Sequence, residues 1–305
     1  MCCMKHPVSI TTLFIVLFII SQLVGLLVIN FGVESVDFET GGVDFADTAA
    51  GERPEISGLA TLAYIVFGVA IGTTILLLLA KKGNVFWWRI WFFLAVWISI
   101  SITLGVLTQN LLLSWVVGFG LAYLKLWKKN VWTHNLTEIL IYPGLAFFLV
   151  PLLDINTVIF LLVLISIYDA YAVWKSKHMV TMAKFTSKAN IFPGFSINYD
   201  ESSRKVKKVK KVGGKKQKKG KRTSGVLGGG DIAIPMLFIG VVFITLLQAG
   251  FSRETSLTLS SIIIVTSAIS LGLLLYYSKE KKFYPAMPFL SAGCIVGYFI
   301  VLLLI

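Results

Sequence analysis

Nine apolar stretches, nearly free of charge, leave this chain few ways to fold: roughly residues 8–31, 56–80, 85–107, 111–127, 136–153, 155–174, 231–250, 256–277 and 286–305. A helix needs about 20 such residues to cross a hydrocarbon core about 30 Å thick. Lipid offers no partners for backbone amides and carbonyls, so spanning segments are helices or strands of a closed barrel. These runs are continuous and do not alternate every second residue, which excludes the barrel. Composition agrees. With 56% hydrophobic and 14% charged residues and a mean hydropathy of +0.83, the 305-residue chain has too little charge to cover a soluble protein. The expected fold class is an all-α membrane protein with nine transmembrane helices.

Basic residues fall in alternate gaps. Lys5 precedes the first run, Lys81 and Lys82 follow the second, and Lys125, Lys128 and Lys129 close the fourth. Sixteen Lys and Arg separate the sixth from the seventh, and Lys279, Lys281 and Lys282 separate the eighth from the ninth. The intervening gaps hold only Arg53 and Arg253, the first alongside seven acids between Glu34 and Glu55. The positive-inside rule then sets the N-terminus in the cytoplasm and the C-terminus outside. The first run is longer than the 7–15 residues of a signal-peptide core and lacks a small-residue cleavage site, so it reads as an anchor. Cys2, Cys3 and Cys294 suggest neither a disulfide nor a zinc site.

The net charge of +13 is concentrated in one segment. Residues 175–230 carry sixteen basic side chains against Asp200 and Glu201, while the rest of the chain is near neutral. This divides the sequence into a six-span part (1–174), a basic loop expected to be largely disordered (175–230) and a three-span part (231–305). Lysines interleaved with Gly and Val cannot build a core. They suit contact with anionic lipid headgroups, and without interleaved aromatics they do not suggest a nucleic-acid partner. His134 and Glu138, near the start of the fifth run, are expected to reach back to the interface. The acidic gap reads as a solvated outer loop with no calcium-binding spacing.

Two acids remain inside the apolar frame: Asp169, closing the sixth run, and Asp231, opening the seventh. An ionisable group in a membrane span is costly and marks a functional site by default. Asp169 lies 15 residues after Asp154, roughly 22 Å along a helix, and Asp231 lies 19 before Gly250, roughly 28 Å. On antiparallel spans both therefore fall at the same end. Gly228-Gly229-Gly230 precedes Asp231, where absent side chains let another backbone approach. Tyr284-Pro285-Ala286-Met287-Pro288 opens the ninth run with two residues that lack amide donors, discouraging helix until after Pro288. Irregular backbone at membrane depth belongs beside protein or a water-filled cavity. From the residues alone, a carboxylate pair sharing a proton to activate water and an ion-coupled transporter or leak channel both fit. The halves show no convincing inverted repeat.

Tyr168-Asp169, Gly228-Gly229-Gly230-Asp231 and Pro285-Ala286-Met287 resemble the YD, GxGD and PAL motifs of the presenilin and signal peptide peptidase family of intramembrane aspartyl proteases. They stand in the family's order on a nine-span frame, with Met287 where the family has Leu. The resemblance implies hydrolysis of peptide bonds within transmembrane proteins or remnant signal peptides, with Asp169 and Asp231 as catalytic acids. It also implies that Tyr168, Gly228, Gly230, Pro285, Ala286 and Met287 shape the site. No cofactor or metal is implied; self-association is left open. The expected orientation matches presenilin, and the chain's size is similar to that of archaeal presenilin-like homologues, which implies a multi-pass protein of a prokaryotic cell membrane.

Overall fold

Short polar residues between the apolar runs start the helices. Asn110 accepts from the amide of Leu113 at 3.0 Å, Asn130 from Trp132 at 3.1 Å, Asp154 from Thr157 at 2.7 Å and Ser252 from Thr255 at 3.2 Å. Each satisfies an amide that the first helical turn leaves without a partner. The structure, a computed structural model, describes residues 8–37, 42–51, 53, 58–82, 85–128, 130–176, 193–200, 222–278 and 284–305.

Among the described residues there are nine α-helices: α1 Val8–Gly32, α2 Leu59–Lys82, α3 Val85–Thr108, α4 Leu111–Trp127, α5 Val131–Leu149, α6 Ile155–Tyr171, α7 Gly230–Gln248, α8 Arg253–Tyr277 and α9 Met287–Leu304. Eight of these helical spans are long and apolar enough to cross a membrane; α4, at 17 residues, is shorter. The protein is therefore a multi-pass, helical membrane protein, and its helices follow the apolar runs closely. Two starts differ. α5 begins at Val131 rather than 136, because Asn130 caps it. α9 begins at Met287, so Pro288 sits in the first turn, where its missing amide has no helical acceptor.

The helices surround α7. Of its most apolar window 78% is buried, against none of α2's. α1, α5, α6, α8 and α9 all pack on α7, whereas the main neighbours of α2 among the described residues are α3 and α6, at the periphery. Lipid tails are as apolar as leucine, so close packing and polar ties must hold such helices together. Gly240 shows the closeness: a Cβ there would lie 2.6 Å from Ile29 Cδ1 of α1 and 2.7 Å from Val150 Cγ2.

Two antiparallel hairpins interrupt the helical frame, and neither was expected from the sequence. β1 (Val33–Asp37) pairs with β2 (Gly42–Phe45) within the acidic gap read as a solvated loop. Arg253 anchors this hairpin by donating to Val33 O at 2.7 Å. Arg53 lies over the rings of Phe147 (4.6 Å) and Phe45 (5.5 Å), and this burial lowers its pKa despite Asp47. β3 (Gly194–Asp200) pairs with β4 (Arg222–Gly228) from Gly194↔Gly228 to Asp200↔Arg222. Two stretches of the basic segment thus form a ladder; residues 177–192 and 201–221 lie outside the described residues. Phe195, Ile197 and Leu227 of this ladder join the main hydrophobic core.

Candidate active site

α6 ends three residues after Tyr168, and α7 starts one residue before Asp231, so the two acids sit at the same end of antiparallel, touching helices. Asp169 and Asp231 are close enough to interact electrostatically. Each is partly enclosed by protein, and each is held by backbone.

For Asp169 the holder is the start of α9. The amide of Met287 donates to Asp169 Oδ2 at 3.1 Å, and Ala286 supplies a second backbone bond. First-turn amides have no helical acceptor, so the start of a helix is a natural seat for a carboxyl group. Pro285 is buried beside this turn. Lower down, Ser166 donates to Ser291 Oγ at 2.8 Å and ties α6 to α9 again. Met287 serves Asp169 through its amide, which Leu at the same place would supply equally.

For Asp231 the holder is the turn between β4 and α7. Gly228 makes a backbone hydrogen bond to its carboxyl group. A Cβ on Gly228 would lie 3.1 Å from Asp231 Oδ2, and one on Gly229 would lie 2.6 Å from the Tyr142 hydroxyl. Gly230 faces open space. Pro235 has no amide to give the Asp231 carbonyl, which loosens this first turn of α7. Gln22, buried in α1, donates to the neighbouring carbonyl, Ile232 O, at 2.9 Å.

Tyr168 is 52% exposed. It lines an apolar cleft of about 380 Å³ between α2 and α6, together with Val66, Val69, Thr73, Leu161 and Leu164. Among the described residues its hydroxyl makes no hydrogen bond to Asp169.

Glu138 does not reach the interface. It is 1% exposed, bonded to Lys125 and Tyr142, and Lys125 also approaches His134. Starting α5 at Val131 carries Glu138 seven residues into the helix, roughly 10 Å from its end, too deep to reach out. Lys125, expected as an orientation-setting surface charge, is buried with it. Tyr142, Gln22 and Asn135 were not picked out from the sequence. Their signal was available, since each is a polar residue within or beside an apolar run. Among the described residues no cluster of His, Cys, Asp or Glu suits a metal ion.

This arrangement is similar to folds already solved. One solved structure of a presenilin family intramembrane aspartate protease, in a P2 crystal form, superposes with a TM-score of 0.60 at 19% identity, covering 96% of this chain and 97% of that one. A second, in a C222 form, gives 0.58 at 16% identity and 94% coverage of both. No curated protein matches the sequence. Nothing in the fold or in these likenesses favours a transporter or channel. The family model described as signal-peptide peptidase, presenilin aspartyl protease matches residues 15–305. Because that match contains both acids and all the helices beyond the first turns of α1, the chain belongs to the signal-peptide peptidase and presenilin family of intramembrane aspartyl proteases.

Proposed function

We propose that Asp169 and Asp231 are the catalytic pair of this aspartyl protease, acting on peptide bonds inside transmembrane segments. The observation that carries the reading is their convergence. Two acids 62 positions apart meet at one end of the bundle, each oriented by backbone donors from a glycine or proline turn. One carboxylate takes a proton from water as the other, protonated, donates to the scissile carbonyl, and the roles reverse as the tetrahedral intermediate collapses. The order of protonation belongs to the pair and not to either residue.

A helical substrate hides its carbonyls in internal hydrogen bonds and must unwind before attack. The β3–β4 ladder offers it a template. Asn135 of α5 bonds both the amide and the carbonyl of Ser196 at 3.0 Å, which occupies the outer edge of β3. Among the described residues no strand pairs with the outer edge of β4, and β4 leads directly into Asp231. An extended peptide added there gains main-chain hydrogen bonds and lies alongside the acid. The apolar cleft between α2 and α6, ending at Tyr168, is a suitable approach from lipid.

The same reading sets the acid-bearing end in the cytoplasm of a prokaryotic, archaeal cell, with the basic segment against anionic headgroups. The decisive experiment incubates purified protein in detergent with a transmembrane peptide and identifies the products by mass. Asp169→Asn and Asp231→Asn should each abolish cleavage, since each role needs a carboxyl group, while leaving the thermal unfolding profile unchanged. Substantial cleavage by either variant removes the pair from the mechanism.

A further inference from the structure

The buried ion pair between α4 and α5 has no part in the chemistry just described, yet it lies against the turn that carries Asp231. Lys125 Nζ donates to Glu138 Oε1 at 2.5 Å and to Thr137 Oγ1 at 3.2 Å, with the Lys125 and Glu138 side chains 2% and 1% exposed. Its third contact is His134 Nδ1 at 3.4 Å. An ammonium only donates, so Nδ1 accepts and the ring proton sits on Nε2, which then donates to Gly194 O of β3 at 2.9 Å. The second oxygen of Glu138 accepts from the Tyr142 hydroxyl. That hydroxyl is the atom a Cβ on Gly229 would strike, and it is close enough to feel the charge of Asp231.

His134, Glu138 and Tyr142 recur every four residues, so they form one stripe along α5. The top of the stripe grips β3, and the bottom abuts the turn after β4. Between them the amide of Gly229 donates to Pro193 O at 3.2 Å, closing the base of the hairpin. Apolar side chains of similar volume often stabilise a protein at least as well as a buried ion pair. Geometry, more than stability, is what this pair supplies here.

We propose that Tyr142, oriented by the Glu138–Lys125 pair, is a positioning residue that fixes the Gly229 turn and thereby aims the Asp231 carboxyl group. The inference rests on Asp231 being one of the two catalytic acids. Tyr142 touches the turn and not the substrate, so it acts through Asp231. A small loss of aim is enough to slow chemistry, because reacting groups must be held close to their productive geometry.

The full-length protein in neutral detergent is assayed on a transmembrane peptide, with competent sites counted by a tight-binding isostere that carries a hydroxyl in place of the scissile carbonyl. Tyr142→Phe keeps the ring and loses only the hydroxyl. Its kcat per competent site should fall about tenfold, with KM within about twofold of wild type. The double variant Lys125→Met/Glu138→Gln, which leaves no lone buried charge, should show a similar drop. Adding Tyr142→Phe to it should lower kcat by less than about a further twofold, because the hydroxyl has already lost the charged, Lys125-held carboxylate that orients it. Wild-type kcat per site in Tyr142→Phe overturns the proposal, as does a triple variant whose losses multiply. Fewer competent sites at unchanged kcat per site would make Tyr142 a stability residue and overturn it equally. Asp231→Asn is run alongside: if it still cleaves, the catalytic pair itself fails, whereas an inert Asp231→Asn beside a fully active Tyr142→Phe rejects only the positioning role.

Discussion

Three consecutive glycines precede Asp231, but space is tight at only two of them. Gly229 has the Tyr142 hydroxyl 2.6 Å from where its Cβ would be, Gly228 has an Asp231 oxygen at 3.1 Å, and Gly230 has nothing within 4 Å. Alanine should therefore do most harm at 229. We expect Gly229→Ala to reduce kcat at least about tenfold by displacing the turn, and Gly230→Ala to stay within about threefold. Adding Tyr142→Phe should lower kcat little further, since both changes release the same contact between the hydroxyl and the turn. Kinetics on the single and double variants check this, and a ranking with Gly230 as the most sensitive position contradicts it. The motif alone directs attention to Gly228 and Gly230 and treats the residue between them as free. Spacing shows that small residues are needed near an acid. Which of them is pressed depends on Tyr142, 87 positions earlier, and no local pattern carries that.

At the scale of elements, α4 and α5 are joined by charge where their neighbours are joined by close contact. Removing one member of a buried pair strands the other without solvent, at about 3–5 kcal/mol, whereas removing both is often close to neutral. Lys125→Met and Glu138→Gln should each lower the unfolding midpoint in detergent markedly, and the double variant should recover most of the loss. Equal destabilisation by all three would mean that the pair is not isolated from water. The helices themselves were legible in the sequence, since apolar length fixes them and every run appears as a helix. The β3–β4 hairpin was legible in principle. Phe195-Ser196-Ile197 alternates, as a half-buried strand does, but the signal is three residues long within a segment dominated by lysine. His134 and Glu138 were read as surface groups because a helix start five residues late leaves them near the end of α5. Their true partners, Lys125 and Gly194, lie across a loop and across two helices.

For the whole molecule, the charge pattern makes a prediction that packing alone does not. Reporter tags at residues 1 and 305 should lie on opposite faces of the membrane, the first in the cytoplasm. Tags on one face would overturn the nine-span topology. Replacing 204–222 with a Gly/Ser linker of equal length should weaken binding to anionic vesicles and leave peptidase activity in neutral detergent within about threefold. The replacement reaches Arg222, the first residue of β4, but spares the pairs nearest Asp231. Complete loss of activity in correctly inserted protein would assign the basic segment to the active site. The central place of α7 also has a consequence in time. Its neighbours α1, α5 and α6 are synthesised before it, and α8 and α9 after it. Until residues 230–248 leave the ribosome, the first six helices share a bundle whose middle is vacant, with Gln22 lacking its acceptor on Ile232. Assembly therefore waits on a late segment, and a chain stopped before that segment is left with an unfilled groove, a target for quality control rather than a smaller working protein.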